Sequence, residues 1–362
     1  MRSLVLLIVV GCLARMGLAQ SRMPGPVTVR WPDELDGDAL VSLGLAFPKG
    51  AFTSRHELSF RAGRRNEVAQ VEPLVCWPDG SARRVVAHAI VRGRAGAMRR
   101  LSFRLRDRRS HPATSAVVRD DGETLSIRGR NLSMDFGREP LVILNDLKRR
   151  GRCLMPSMRF DTAAQSAPVT LVVESAGPWM IRVRREERLY WPDGLDSVLS
   201  VVRVTVVDQL AEITVDAECR SEHAWGKRPA LRICHDFPRP ARGIQIGGQP
   251  FDRPDEAVVL SCDRDGDLQL EPAGREDPQA LRPAMALAVA GGRLELCSDE
   301  FRGLGPSCLE LNAFGETLAM TIVSSDYHWW GGVRPGRRLR IRLGVSGPLG
   351  TPAVFARPQP RA

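Results

Sequence analysis

The sequence predicts an all-β protein of two domains, and three observations carry that reading. Short runs in which apolar and polar residues alternate, bounded by Gly, Pro, Asp or Asn, recur about every 8 to 12 residues from Val27 onward, the spacing of successive strands and turns. Helical periodicity is confined to residues 141–149 and 280–290, one short and the other broken by Pro283, which argues against a helical bundle or a doubly wound α/β fold. The 362 residues, 43% of them apolar, exceed one average domain and supply a sizeable core.

In chain order, Arg2, the apolar run 4–10 and Gly17-Leu18-Ala19 before Gln20 read as a secretory signal over residues 1–19, cleaved after Ala19. The run is too short to span a bilayer, so no membrane span is expected. Val9-Val10-Gly11-Cys12 also fits a lipoprotein box, which would place a lipid anchor on Cys12 instead. Either way the protein is expected to be secreted or held in the periplasm or cell envelope.

A first domain is expected over residues 27–108 and a second over 115–346. The polar, proline-containing stretch 106–116, "RDRRSHPATSA", lies between them, and a loosely ordered tail follows at 347–362. Within them, Leu101, Phe103 and Leu105 share one face of a strand, as do Leu132, Met134 and Phe136, and Ile213, Val215 and Ala217. Leu339, Ile341 and Leu343 alternate with Arg338, Arg340 and Arg342, so three arginines should form a solvent-facing stripe. Residues 221–251, rich in Pro, Arg and Gly, read as a surface excursion.

The segment Cys76-Trp77-Pro78-Asp79-Gly80-Ser81 contains a "WPDG" that returns at Trp191 to Gly194, and "WPD" also stands at Trp31 to Asp33. Proline fixes φ at the second turn position, Asp tolerates the third and Gly supplies the left-handed fourth, so both "WPDG" copies predict hairpin tips. The tryptophan before the proline either caps the hairpin's apolar face or stacks on a sugar ring.

The order Gly44-Leu45-Ala46-Phe47-Pro48-Lys49-Gly50, then Gln70-Val71, then Trp77-Pro78-Asp79-Gly80-Ser81-Ala82-Arg83-Arg84 resembles the N-terminal domain of the exo-rhamnogalacturonan lyase/YetA-like family. The sequence departs from that pattern at Ala46, Pro73 and Arg84. Further on, Glu174-Ser175-Ala176-Gly177-Pro178 is similar to the family's E-x-x-G-P segment. The resemblance implies a small N-terminal RIFT-type barrel followed by a larger antiparallel β-sandwich. It also implies an acidic, pectin-like polysaccharide or oligosaccharide as partner. Full-length relatives continue into a helical toroid that this sequence lacks, so the expected function is a carbohydrate-binding or accessory module. Two alternatives stand beside it: a compact polysaccharide lyase cleaving uronic-acid glycans by β-elimination, and a structural envelope protein without a sugar ligand.

For the lyase reading, a base, an acid and a group that neutralises the carboxylate are needed. The one compact set of such residues is Ser324 to Gly332, which holds Tyr327, one of two tyrosines, and His328 as candidate catalytic residues. Trp329, Trp330, Arg334 and the distant Trp77 are candidate substrate contacts. Asp263-Arg264-Asp265-Gly266-Asp267 has the carboxylates but not the glycine position of a calcium loop and reads as a hairpin tip. The eight cysteines contain no C-x-x-C pair, which disfavours a zinc ribbon or redox motif, and no metal or cofactor is expected. The net charge of +10 is nearly all arginine, with lysine only at Lys49, Lys148 and Lys227. Dispersed among acids in an exported chain, these arginines do not point to nucleic acid.

Overall fold

The computed structural model describes residues 24–31, 37–63, 65–94, 96–107, 116–162, 164–190, 197–210, 212–221, 231–238, 242–246, 249–251, 257–262, 267–271, 284–289, 292–297, 307–312, 316–323 and 337–346. Among these the elements are strands, apart from one 3-10 turn at Asp208–Leu210. No helix among them is long and apolar enough to cross a membrane. The chain divides into two compact units: one reaches Ser115 and includes Gly177–Met180, the other is built from Ala116–Ala176 and the chain from Ile181.

Among the described residues the first unit has seven strands: β1 (Val27–Arg30), β2 (Gly37–Ala46), β3 (His56–Ala62), β4 (Arg65–Val68), β5 (Gln70–Cys76), β6 (Ala82–Gly93) and β7 (Met98–Asp107). They form two antiparallel sheets, ordered β1-β7-β3-β4 and β2-β6-β5. Successive side chains on a strand point to opposite faces, so β6 buries Val85, Ala87, Ala89 and Val91 at every second position. Val41 and Leu43 of β2 join them, and Leu58, Phe60 and Leu101 enter the same core from the other sheet. Trp31, the tryptophan of the "WPD" copy, is fully buried, and its ring lies 2.0 Å from where a Gly93 Cβ would be. Only glycine permits that approach.

The other face of the three-stranded sheet is polar at its centre. His88 is buried there, directly opposite Ser42 on β2 and Gln70 on β5. Gln70 makes a two-way clamp: its Oε1 accepts from Met180 N at 2.9 Å and its Nε2 donates to Met180 O at 3.0 Å. A Cβ at Gly177 would sit 2.2 Å from the Gln70 side chain, so this contact too requires glycine.

The second unit contains β8 (Val117–Asp120), β9 (Thr124–Arg128), β10 (Leu132–Gly137), β11 (Val142–Arg149), β12 (Arg152–Asp161), β13 (Gln165–Ser166), β14 (Thr170–Ala176), β15 (Ile181–Tyr190), β16 (Ser197–Val207), β17 (Glu212–Ser221), β18 (Leu231–Asp236), β19 (Arg242–Ile246), β20 (Gln249–Phe251), β21 (Val258–Cys262), β22 (Leu268–Glu271), β23 (Ala284–Val289), β24 (Gly292–Cys297), β25 (Ser307–Leu311), β26 (Thr317–Val323) and β27 (Arg337–Ser346). One sheet runs β22-β21-β25-β26-β18-β12-β11-β10-β9-β8 and the other β13-β15-β16-β17-β27-β24-β23-β19-β20, with β14 on β15. Leu132, Met134, Phe136 and Met158 of the first share one core with Val183, Val202, Val204 and Val215 of the second, which makes the unit an antiparallel β-sandwich.

Three expectations change here. Residues 141–149 hold strand β11 rather than a helix. Its register shifts between Val142 and Leu144, and Ile143, Leu144 and Leu147 are all buried. The bulge turns two neighbouring residues inward and so imitates a helical apolar spacing. Residues 284–289 of the other helical candidate form β23, paired on both sides. The supposed excursion 221–251 supplies β18, which lies between β12 and β26 and buries Ile233, Cys234 and His235.

Two polar constructions sit inside this sandwich unit. Asp208, buried, accepts the backbone N–H of Arg130 (2.9 Å), Asn131 (2.9 Å) and Leu132 (2.8 Å), saturating a carboxylate with main-chain donors. Arg185 and Glu187, both buried on the core-facing side of β15, form an ion pair. Glu187 also accepts Leu141 N–H at 2.7 Å and the Ser166 hydroxyl, and Arg185 donates to Glu139 O at 3.0 Å. The pair thereby holds the tight turn at Leu141, where φ is 65°.

Candidate functional site

Of the residues the sequence nominates for chemistry, Trp77 is placed by the structure. Tyr327, His328, Trp329, Trp330 and Arg334 lie outside the described residues, in the connection from β26 of one sheet to β27 of the other. The arginine stripe is on β27, where Arg340 pairs in register with Asp216 and Arg338 with Glu218. The second "WPDG", at Trp191 to Gly194, also lies outside them; Tyr190 and Ser197 on either side pair in register, so it connects a hairpin. The Asp263–Asp267 segment likewise joins antiparallel strands that pair Cys262 with Leu268.

Around Trp77 the turn forms as its residues dictate. Gly80 N donates to Trp77 O at 2.9 Å, Gly80 has φ 81°, and Trp77 N donates to Ser81 O at 2.7 Å. This is a turn with proline second and a left-handed glycine after it, closing the β5–β6 ladder. Asp79 Oδ1 accepts both the Ser81 hydroxyl (2.6 Å) and Ser81 N–H (3.0 Å). The Ser81 hydroxyl bond, then its N–H, then nearby Lys49, hold the Asp79 carboxyl below its ordinary value, so the exposed acid stays ionised.

A second turn docks on this one. Ala51 N donates to Pro48 O at 3.1 Å, with Gly50 left-handed at φ 76°, and Gly50 N then donates to Ser81 Oγ at 2.8 Å. Phe47 N donates to Arg83 O at 3.0 Å, Ala82 N to Phe52 O at 2.8 Å, and Trp77 Nε1 to Phe47 O at 3.1 Å. The Phe47 and Phe52 rings stack beneath, with centroids 5.0 Å apart. Thus the Phe47–Gly50 and Trp77–Ser81 motifs, about thirty residues apart in sequence, form one corner, and Ser81 is its central hydrogen-bonding residue.

What this corner leaves available is a tryptophan with a cation stacked on it. Trp77 is half-buried with its indole N–H satisfied, and the exposed Arg83 guanidinium lies 4.7 Å over the ring, a cation–π contact. Lys49, near enough to act on the Asp79 carboxylate, and Arg84 are also exposed. Leu74 and Val75, the two residues before Cys76 on edge strand β5, are 63% and 43% exposed. Apolar and aromatic surface next to guanidinium suits a ring with C–H faces and carboxylates. Among the described residues no group of three or more His, Cys, Asp or Glu is arranged to hold a metal ion.

Local sequence pattern does not reveal the contacts of Ser81, Gln70, Gly177 and His88. Their partners are fixed by strand register, which no local pattern encodes. The polar residues at alternate positions of Gln70-Val71-Glu72 were the available signal that β5 has a polar face.

No protein-family model and no curated protein matches the sequence. Among solved structures, an alpha-mannosidase from Enterococcus faecalis V583 aligns at 10% identity and TM-score 0.41, over 88% of this chain and 42% of that one. A glycosyl hydrolase family 38 protein from Enterococcus faecalis aligns at 9% identity and TM-score 0.42, over 88% of this chain and 44% of that one. The chain spans less than half the length of either protein, and likenesses this distant establish no shared activity.

Proposed function

We propose that this chain is an exported glycan-binding protein, an accessory module that recognises an acidic, pectin-like polysaccharide at the Trp77 corner. One observation carries the reading: an exposed arginine stacked on a half-exposed tryptophan, on a turn braced by a second turn docked against it. Rigid presentation matters because ordering loops on binding costs affinity. Trp77 would offer its free edge and ring surface to a sugar, and Arg83 would meet the uronate carboxylate through paired N–H donors. The resemblance of residues 44–84 to the exo-rhamnogalacturonan lyase/YetA-like pattern supports the same class of partner.

Affinity electrophoresis through gels carrying polygalacturonate tests this reading. The intact protein is expected to be retarded, and Arg83→Ala to lose most of the retardation, because a charge-assisted hydrogen bond is worth about 1.5–3 kcal/mol. Carboxyl-reduced polymer should retard neither. Equal mobility of the intact protein in gels with and without every acidic glycan would remove the proposal in favour of a structural role.

A further inference from the structure

We propose a second, separate chemistry in the first unit: Ser42 is a nucleophile, activated by His88 and oriented through Glu72, for hydrolysis of short-chain carboxylic esters. Ser42 and His88 stand directly opposite each other on β2 and β6, and Ser42 Oγ lies 2.7 Å from His88 Nδ1. His88 Nε2 faces Glu72 Oε2 at 3.5 Å, and His88 itself is buried. A hydroxyl against one ring nitrogen and a carboxylate toward the other is the arrangement that activates serine on unrelated folds, recognised by geometry rather than sequence order.

The tautomer follows from the neighbours. His88 Nε2 makes no hydrogen bond among the described residues and has Glu72 Oε2 at 3.5 Å; with the proton on Nε2, Nδ1 carries the lone pair and accepts the Ser42 proton. Ser42 is half-buried rather than sealed. Gly44, two residues on and on the same face of β2, adds no side chain beside it.

In the reaction, Ser42 Oγ bonds to the ester carbonyl carbon while its proton passes to His88 Nδ1. The bond from that carbon to the alkoxy oxygen breaks, and the departing oxygen takes the proton from Nδ1 and leaves as the alcohol. Water then attacks the acyl-serine, giving its proton to Nδ1, and the proton returns to Ser42 Oγ as the carboxylic acid is released. Glu72 acts through His88 as a positioning residue.

The intact protein should be treated with a biotinylated fluorophosphonate and digested, and the adduct located by mass spectrometry, in parallel with hydrolysis of p-nitrophenyl acetate. The expected result is an adduct on Ser42 and hydrolysis that falls on the order of 100-fold or more in Ser42→Ala and His88→Asn, the range of general-base assistance. Glu72→Gln should lower kcat per active site, with active sites counted by fluorophosphonate labelling, which a loss of folded protein would not do. Adduct mapping on the unaltered chain keeps the test independent of whether the variants fold. Absence of an adduct on Ser42, or hydrolysis unchanged in Ser42→Ala, overturns the proposal.

Discussion

Ser81 shows how one small side chain organises the corner. Its hydroxyl accepts Gly50 N–H and donates to Asp79, so Ser81→Ala leaves an amide and a carboxylate without their shared partner. The expected cost is about 1–2 kcal/mol in urea unfolding, the range for a net hydrogen bond plus an unsatisfied donor. Gly80→Ala should cost about 1–2 kcal/mol as well, because alanine must then hold φ near 81°. The proline, aspartate and glycine of this turn could be read from the sequence because turn chemistry is local. Serine's role could not, since its partner Gly50 stands thirty-one residues earlier. Sequence leaves Trp77 open to packing or sugar stacking; its indole N–H on Phe47 O makes it a packed residue at one edge, while Arg83 claims a face.

Among the elements, β15 carries the most unusual feature, an ion pair on the face turned to the core. Removing one member leaves the other charged and buried, so Glu187→Ala should destabilise by about 3–5 kcal/mol. Replacing both residues together, Arg185→Met with Glu187→Leu, should cost much less, because apolar residues of similar volume escape the desolvation penalty. Urea denaturation of the two singles and the double measures the coupling, and simple additivity would show that the pair does not act as a unit. Alternation made most strands legible: Leu132, Met134 and Phe136 are buried as their spacing requires. The misreadings share a cause. In β11 a bulge broke the period of two, and in β18 flanking prolines and glycines concealed a central strand whose apolar residues are few.

For the molecule as a whole, His235 sets an acid limit on stability. It is fully buried in the sandwich, with Met158 and Leu318 as its register neighbours and neither ring nitrogen hydrogen-bonded among the described residues. Burial lowers its pKa from 6.5 to about 4, opposed only by the nearby Asp236 carboxylate. Because the folded state holds this imidazole neutral while the unfolded chain protonates near 6.5, the stability it preserves is full above that pH. It is lost as pH falls from 6.5 toward 4, at up to about 1.4 kcal/mol per pH unit. Asp135 and Asp236, both held below the ordinary carboxylate value, add their losses only at lower pH. Stability curves from pH 7 to 4 should therefore flatten in His235→Leu, and identical slopes would contradict this. The all-β class and the sandwich were legible at this scale. The polar line Ser42–His88–Glu72 was not, because it exists only once three strands are in register.

Calorimetric titration of the intact chain with oligogalacturonides, beside the same oligosaccharides after carboxyl reduction, bears most directly on acidic-glycan binding at the Trp77–Arg83 corner. Saturable binding of the uronate form, absent from the reduced form and lost in Arg83→Ala, is the predicted result. Equal binding of both forms, or affinity unchanged in Arg83→Ala and Trp77→Ala, would contradict it.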